Sequence, residues 1–255
     1  MPVYDLSGPH VRLGVVWAAL VVAALFAGPG WLAAVLAPVA GLAAIQASRS
    51  WRKIDGPRPI DAMAGVGAVV LVIAAAFGPV GLVVGALALV LGAAGLHRAV
   101  VARIRAGRIH VHRSLGRTLL LGVVPGLAAA APVALRSLSG HGAVVTLALC
   151  TYALVYDASA FLVGAGSRHV WEGPVAGVAS IAAVTVAVAA ILVPPFGGAR
   201  PWILGAAAVV LTPLGPVAAT MLLGDRRARV PALRRLDALI VLGPIWTLLA
   251  LAFVG

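Results

Sequence analysis

The chain has 255 residues, of which 62% are hydrophobic and only 10% are charged, and its mean hydropathy is +1.10. Soluble domains carry about a quarter charged residues, so this composition excludes a water-soluble globular protein and a disordered one. The 19 Lys and Arg residues against 7 Asp and Glu residues give a net charge of +12, whose position relative to the apolar segments decides what it indicates. The single cysteine, Cys150, excludes an intramolecular disulfide and a cysteine zinc site.

Apolar segments close to the ~17–25 residues that cross a bilayer recur along the whole chain. Their runs of Ala, Leu, Val and Gly show no two-residue alternation, which favours helices over a barrel, because backbone polar groups in hydrocarbon must be paired internally. The sequence therefore predicts an all-α, polytopic integral membrane protein with about nine transmembrane helices. The predicted spans are residues 11–27, 31–47, 61–77, 79–97, 118–136, 142–163, 174–193, 201–222 and 237–254.

We interpret the first apolar segment as a span and not as a signal peptide. Gly28-Pro29-Gly30 leads directly into the second segment, and no small-x-small cleavage site lies between them. All the predicted spans then form a single membrane domain. Within it, residues 1–140 supply about five N-terminal helices, and residues 141–255 supply C-terminal helices that contain the polar motifs. Gly215-Pro216 inside the eighth span predicts a kink there.

The basic residues predict the orientation of the chain. With nine alternating spans, 17 of the 19 Lys and Arg residues fall on the side of the N-terminus, and only Arg136 and Arg200 fall on the other. The positive-inside rule makes the richer side cytoplasmic. We therefore expect a multi-pass protein of the plasma membrane with a cytoplasmic N-terminus, its net charge facing anionic lipid and not nucleic acid. The 17 residues are Arg12, Arg49, Arg52, Lys53, Arg58, Arg98, Arg103, Arg105, Arg108, Arg113, Arg117, Arg168, Arg226, Arg227, Arg229, Arg234 and Arg235.

The acidic residues are few enough to be considered one by one. Asp5, Asp55 and Asp61 lie near the N-terminus or at a loop edge, where solvent accounts for them. Asp157 lies several residues inside the sixth predicted span, where an ionised carboxylate costs a few kcal/mol unless it is paired, hydrated or metal-bound. Two interpretations are open. We favour a functional carboxylate near the cytoplasmic surface over a helix-end residue that reaches the interface.

The loop after the sixth span combines four kinds of polar or aromatic side chain, in Arg168, His169, Trp171 and Glu172. One interpretation is an ordinary membrane interface in which Trp171 is an aromatic anchor. The other is that these residues contribute to a binding site on the cytoplasmic side.

The loop before the last span places Asp225 and Asp237 among five arginines. These arginines either mark the cytoplasmic side, with two compensating acids, or bind phosphate through guanidinium groups beside carboxylates that hold a hard cation. Carboxylates and arginines on one cytoplasmic face suit phosphoryl or nucleotidyl transfer to a lipid phosphate.

At these residues the sequence resembles the phosphatidate cytidylyltransferase (CDP-diacylglycerol synthase) family of membrane enzymes. Two of the family's segments, Asp-Thr/Ser-x-Ala-Tyr/Phe and Lys-Thr-Trp-Glu-Gly, are similar to Asp157-Ala-Ser159-Ala160-Phe161 and to His169-Val-Trp171-Glu172-Gly173. The family's Leu-Asp-Arg-x-Asp signature is similar to Leu233-Arg234-Arg235-Leu236-Asp237, in which Arg234 stands where the family has its first Asp. The family's His-Gly-Gly is missing, and Asp225 is the counterpart of the acid in its Lys-Asp pair. The resemblance covers the C-terminal part of the chain.

The resemblance implies an enzyme that transfers CMP from CTP to phosphatidate, giving CDP-diacylglycerol and pyrophosphate in phospholipid biosynthesis, with Mg²⁺ as cofactor. Its implied partners are CTP, phosphatidate and the lipid bilayer, with a homodimer as a further expectation and no nucleic acid. The implied catalytic residues are Asp157, Ser159, Glu172, Arg235 and Asp237. The implied substrate-binding residues are Arg168, His169, Trp171 and Arg234, and the implied metal ligands are Asp157, Asp225 and Asp237.

Two other functions stay open. One is a catalytically inactive relative that binds lipid or a partner, which the replacement of an acid by Arg234 and the missing His-Gly-Gly suggest. The other, which we favour less, is a small transporter. Inverted repeats or charges at the membrane midplane would indicate a transporter, and the sequence shows neither.

Overall fold

The computed structural model describes residues 9–53, 59–103, 108–165, 167–169, 171–226 and 228–254, and all regular structure within these ranges is helical. This confirms the all-α prediction. The helices are α1 (Pro9–Ala27), α2 (Pro29–Arg49), α3 (Asp61–Ala75), α4 (Gly78–Arg103), α5 (Arg108–Arg136), α6 (Gly142–Gly164), α7 (Glu172–Ile191), α8 (Arg200–Leu211), α9 (Leu214–Met221), α10 (Pro231–Arg234) and α11 (Asp237–Val254). A 3-10 turn, Ser50–Lys53, follows α2. The predictions that rest on the side chains of Asp5, Arg12, Lys53, Asp55, Arg58, Arg98, Arg103, Arg105, Arg108, Arg113 and Arg227 lie outside the described residues.

Every predicted apolar span coincides with a helix, and the eighth coincides with the pair α8 and α9. Four of the described helices are long and apolar enough to cross a membrane, namely α2 with its 3-10 turn, the apolar part of α5, α6 and α7. The pair α8 and α9 is a fifth candidate span, while the described apolar parts of α1, α3, α4 and α11 are shorter. These helices indicate a membrane-embedded protein. Nine crossings stay a prediction.

The break in the eighth span lies at Thr212-Pro213, where α8 and α9 meet at 41°, and not at the predicted Gly215-Pro216. Pro213 has no N–H to donate and cannot continue the hydrogen-bond ladder of α8. The Thr212 hydroxyl donates to the carbonyl oxygen of Ala208 at 2.6 Å, the same oxygen that accepts the Thr212 N–H at 3.0 Å. Gly215 is instead needed for a close helix contact, described below.

Small residues bring α3 and α5 into backbone contact in the core formed mainly by α1, α2, α3 and α5. A Cβ atom added to Gly122 would lie 2.8 Å from the carbonyl oxygen of Ala64, and one added to Gly126 would lie 3.0 Å from Cα of Ala68. Helices inside membranes associate through this kind of close packing, because lipid supplies little hydrophobic drive between them. Alanines fill much of the rest of this core.

A second core joins α6, α7, α8 and α11 around Trp246. The indole of Trp246 is fully buried, and its Nε1 donates to the carbonyl oxygen of Leu204 on α8 at 3.1 Å. The ring of Tyr152 on α6 meets it edge to face, with 6.2 Å between the ring centroids. A buried indole with a satisfied N–H contributes both contact area and orientation. This core fixes α11 relative to α6.

Short connections make neighbouring helices antiparallel, so the bundle has two ends with different charge. One end, which we call the basic end, contains the C-terminal ends of α2, α6 and α9 and the N-terminal ends of α3, α7 and α11. Arg136, at the opposite end, donates from Nε to the carbonyl oxygen of Leu25 at 2.7 Å. Arg200, at the start of α8, is also at the opposite end. The described side chains therefore follow the predicted separation of basic residues. Those at the basic end are Arg49, Arg52, Arg117, Arg168, Arg226, Arg229, Arg234 and Arg235.

Candidate functional site

Two carboxylates from different helices come together at the basic end. Asp157 lies on α6 and is half-buried, whereas Asp237 is the first residue of α11 and is only 8% exposed. The two groups are near enough to repel each other electrostatically. Ionisable groups inside an apolar helical bundle are expensive and mark functional positions, so this pair is the centre of the candidate site.

Each carboxylate has an arginine beside it. Nη1 of Arg234 lies 3.6 Å from Oδ2 of Asp237, whose Oδ1 accepts the N–H of Ala238 at 2.9 Å. Arg235 is near enough to Asp157 to attract it, and its guanidinium also reaches α1, where a Cβ on Gly14 would lie 3.5 Å from Nη1. Both arginine residues are exposed. The site therefore combines two acids with two cations that are accessible to an anionic ligand.

Tyr156 is a member of the site that the sequence analysis missed. The residue is 3% exposed, and its phenol is near enough to Asp157 and Asp237 to sense the charge of both. Its ring packs on α7 at Gly177, where an added Cβ would lie 2.5 Å from the ring. The sequence did contain one indication of this role, because Tyr156 directly precedes Asp157 inside an apolar span.

The side chain of Ser159 on α6 is hydrogen-bonded to α7. The hydroxyl of Ser180 donates to Oγ of Ser159 at 2.6 Å. The two helices also touch through their backbones, because a Cβ on Gly173 would lie 2.7 Å from the carbonyl oxygen of Ala160. The direct contact of Ser159 is therefore with the neighbouring helix, which suits an orienting role.

The loop between α6 and α7 lies at the same end of the bundle, farther along the chain than Asp157. The rings of His169 and Trp171 stack with centroids 6.0 Å apart and planes inclined by 22°, and Trp171 is 63% exposed. Arg168 is exposed too, while Glu172 is half-buried at the start of α7, where a negative charge favours the helix. At ~1.5 Å per residue, the end of α6 is about 10 Å from Asp157 along the helix axis.

Asp225 lies in the loop after α9, where its carbonyl oxygen accepts the N–H of Ala228 at 3.0 Å. Across the described part of the chain, no three His, Cys, Asp or Glu side chains are placed to hold one metal ion. The predicted trio of metal ligands is therefore not brought together, whereas Asp157 and Asp237 lie within electrostatic range of each other. Magnesium is commonly held by one or two carboxylates, with water and substrate phosphates completing its shell, so the donor type of this pair suits the ion.

The sequence analysis predicted that solvent accounts for the charge of Asp61, and the structure corrects this prediction. Its carboxylate accepts a hydrogen bond from Nη2 of Arg52 and lies 3.7 Å from Nε of Arg49. The side chain is only 18% exposed. Because Asp61 begins α3 beside the end of α2, ion pairing and not hydration accounts for it.

The polar end of α2 holds the loop that leads to Asp237. Oε1 of Gln46 accepts the N–H of Ala232 at the start of α10 at 3.0 Å. Oγ of Ser50 accepts the N–H of Gly224 at 3.0 Å. These bonds join residues more than 170 positions apart in the sequence. The N-terminal helices thus support a site whose acids and arginines all lie in the C-terminal part.

Replacing Gln46 with methionine is expected to loosen this loop. The side chain keeps its length but loses its acceptor, so the N–H of Ala232 loses its partner at a cost of about 1 kcal/mol. For a chain of this size, that cost lowers the melting temperature by about 2–4 °C. Thermal unfolding in detergent measures the change. Gln46→Glu retains an acceptor and is the matched control; equal melting temperatures for the two variants would rule out the bond.

No protein-family model, no curated protein and no solved structure matches this chain. The functional interpretation therefore rests on the three sequence segments and on the geometry of the carboxylate pair.

Proposed function

We propose that the chain is a membrane nucleotidyltransferase that transfers CMP from CTP to phosphatidate and forms CDP-diacylglycerol and pyrophosphate. The observation that carries the proposal is the approach of Asp157 and Asp237 from two helices, with Arg234 and Arg235 beside them. The donor set is that of a phosphate-transfer site, in which acids hold a divalent cation and guanidinium groups bind phosphate oxygens. The apolar helices around it give a lipid substrate access from the bilayer.

Asp157 and Asp237 would hold Mg²⁺, which would supply positive charge to offset the negative charge on the leaving pyrophosphate. Arg234 and Arg235 provide planar guanidinium groups for the remaining phosphate oxygens. Before substrate arrives, each arginine offsets one carboxylate, which lowers the cost of keeping two like charges close together. Substrate phosphates then replace these internal interactions.

The reaction requires positioning more than proton transfer. A phosphate monoester carries a charge of about −1.5 to −2 at pH 7, so the phosphate of phosphatidate is already a nucleophile. One of its oxygens attacks the α-phosphorus of CTP, and the bond from that phosphorus to the oxygen of the leaving pyrophosphate breaks. The chain orients the two anions and offsets their repulsion, which is the main catalytic requirement of such transfers.

The residues beyond the carboxylates supply binding and orientation in this proposal. The exposed stacked rings of His169 and Trp171 form a face on which the cytosine base stacks, an interaction worth about 1–3 kcal/mol per base in single-stranded nucleic acid complexes. Arg168 adds a phosphate contact, while Ser159 and Glu172 orient the end of α6 and the start of α7.

The experiment that tests this function uses the purified protein in lipid nanodiscs that contain phosphatidate. Formation of CDP-diacylglycerol is expected with CTP and Mg²⁺, and no product is expected with ATP in place of CTP or after chelation by EDTA. Product formation that is insensitive to EDTA would contradict the role of the carboxylate pair.

An inactive lipid-binding relative is the second candidate, and one observation favours it. Arg234, at the position of a family acid, lies 3.6 Å from Asp237 and competes with a metal ion for that carboxylate. This candidate predicts binding of phosphatidate in nanodiscs without any CDP-lipid product. Product formation by the unmodified protein excludes it.

We also propose nine membrane crossings with the basic end in the cytoplasm of a plasma-membrane protein, which cysteine labelling tests. In a Cys150→Ala background, Ser139→Cys and Arg229→Cys each place one exposed thiol at opposite ends of the bundle. A membrane-impermeant maleimide added to intact cells is expected to label Ser139→Cys at once and Arg229→Cys only after permeabilisation. The reverse pattern would contradict the orientation.

A further inference from the structure

The two arginines of the proposed transfer site are next to different helices. Nη1 of Arg234 lies 3.6 Å from Oδ2 of Asp237, at the start of α11. The guanidinium of Arg235 is instead beside α1, where a Cβ atom on Gly14 would lie 3.5 Å from its Nη1. Arg235 is exposed, and Gly14 is only partly buried. The edge of the site at Arg235 is therefore accessible, and α1 borders it.

The inner face of α1 is least buried beside Arg235. The helix runs from that residue to the opposite end of the bundle, where the carbonyl oxygen of Leu25 accepts a hydrogen bond from Arg136. Along the face that packs on the bundle, Leu25 is 0% exposed and Val21 is 7% exposed, whereas Gly14 is only partly buried. A ligand therefore reaches the bundle beside α1 most easily at the level of Arg235.

The outer face of α1 is apolar and exposed at the same level. Val15, Val16 and Leu20 are 66%, 64% and 48% exposed. In a membrane-embedded protein, such side chains contact lipid. Gly14 directly precedes this face in the sequence, so the guanidinium of Arg235 lies close to a helix whose outer side is in hydrocarbon.

Arg235 is also close to the carboxylate pair. Its guanidinium is within electrostatic range of Asp157 on α6. Asp157 follows Cys150 by about two helical turns, and Cys150 belongs to the same core as Val21 of α1. The side of α6 that bears Asp157 is thus the side that packs toward the core containing α1. A phosphate bound to Arg235 would lie near both the bilayer and the carboxylates.

We propose that α1 completes the lipid subsite of the transfer site, with the phosphate of phosphatidate on Arg235 beside Gly14 and its acyl chains along the apolar outer face of α1. Guanidinium groups bind phosphate oxygens at about 2.7–2.9 Å. Because a Cβ at position 14 would already lie 3.5 Å from Nη1, a longer side chain competes for the space that those oxygens need. Gly14 is therefore a positioning residue that keeps Arg235 available. The identity of the lipid rests on the proposed function.

Gly14→Asp tests this assignment, with Gly14→Asn as the matched control. A carboxylate at position 14 accepts a hydrogen bond from Arg235 and competes with phosphate, whereas the amide has the same shape without the charge. The KM for phosphatidate is expected to be about tenfold higher in Gly14→Asp than in Gly14→Asn, the scale of one charge-assisted hydrogen bond. The kcat and the KM for CTP are expected to be the same in both. A difference in the KM for CTP alone would assign Arg235 to the nucleotide and overturn the subsite.

Lipid binding measured without CTP separates this inference from the proposed function. Native mass spectrometry of the full-length protein is expected to show less retained phosphatidate in Gly14→Asp than in Gly14→Asn, and equal retention of phosphatidylcholine. Arg235→Gln is expected to abolish the difference, because the interaction needs both partners. Equal retention of phosphatidate in the two variants, or a difference that persists with Arg235→Gln, would overturn the inference even if the unmodified protein forms CDP-diacylglycerol.

A measurement on the unmodified protein keeps the inference testable if a variant fails to fold. Phosphatidate with a photoreactive diazirine in its acyl chain is expected to label α1. Excess phosphatidate without the diazirine is expected to suppress this labelling more than phosphatidylcholine does. Labelling confined to other helices, or equal suppression by the two lipids, would overturn the lipid subsite.

Discussion

Asp157→Asn is expected to lower the rate of CDP-diacylglycerol formation by at least about 100-fold, the scale of losing one group that stabilises transition-state charge. The amide has almost the same shape as the carboxylate but cannot provide the negative charge that holds a divalent cation. The same change removes the repulsion between Asp157 and Asp237. The melting temperature is therefore expected to stay the same or rise, as is typical when a strained functional site is neutralised.

Rate and melting temperature are measured together on detergent-purified variants. Asp61→Asn is the matched control, because it removes a partly buried carboxylate at the same end of the bundle, outside the proposed transfer site. Its turnover is expected to stay within about twofold of the unmodified protein. Full turnover in Asp157→Asn would eliminate the carboxylate pair as the catalytic centre. A loss of folding in Asp157→Asn would instead assign the residue a structural role.

Gly215→Ala is expected to cause the largest loss of stability among single-methyl additions at this end of the bundle. The added Cβ would lie 2.0 Å from the carbonyl oxygen of Asp237 and 3.2 Å from Cα of Ala238. These are backbone atoms, so no rotamer change relieves the clash, and α9 and α11 must separate. Such overpacking costs about 1–3 kcal/mol or more. The melting temperature should fall by about 2–4 °C for each kcal/mol.

The same substitution also tests the position of the acid. Because the blocked oxygen belongs to Asp237, separation of the helices moves its carboxylate, and turnover should fall together with stability. Gly30→Ala is the matched control, since a Cβ there meets nothing within 4 Å, and it is expected to be neutral or to stabilise α2 by up to ~1 kcal/mol. Equal melting temperatures for the two variants would contradict the packing of α9 on α11.

The helices were predictable because hydropathy is a local property. The sixth predicted span, residues 142–163, matches α6 to within one residue, and the last matches α11 throughout. The break in the eighth span was placed at the wrong proline. From its residue type alone, Gly215 was interpreted as a kink site. The structure shows that its missing side chain allows α9 to approach the backbone of α11, and this contact depends on tertiary packing.

The candidate site was predictable only where charge alone marks a residue. Asp157 and Asp237 stand out because acids are rare in this chain, and the structure brings them together. The placement of Asp225 and the ion pairs of Asp61 depend on which helix ends meet, which residue type does not encode. Tyr156 was missed although it adjoins Asp157 in the sequence, because only the structure shows that its phenol is also within electrostatic range of Asp237.

The most direct test of cytidylyl transfer follows the phosphorus atoms of CTP. The unmodified protein, in nanodiscs containing phosphatidate and Mg²⁺, receives CTP labelled with ³²P at either the α or the γ position. The α label is expected in the lipid fraction and the γ label in soluble pyrophosphate. The γ label in lipid, or no labelled lipid while a known cytidylyltransferase is active in parallel, would contradict the proposed function.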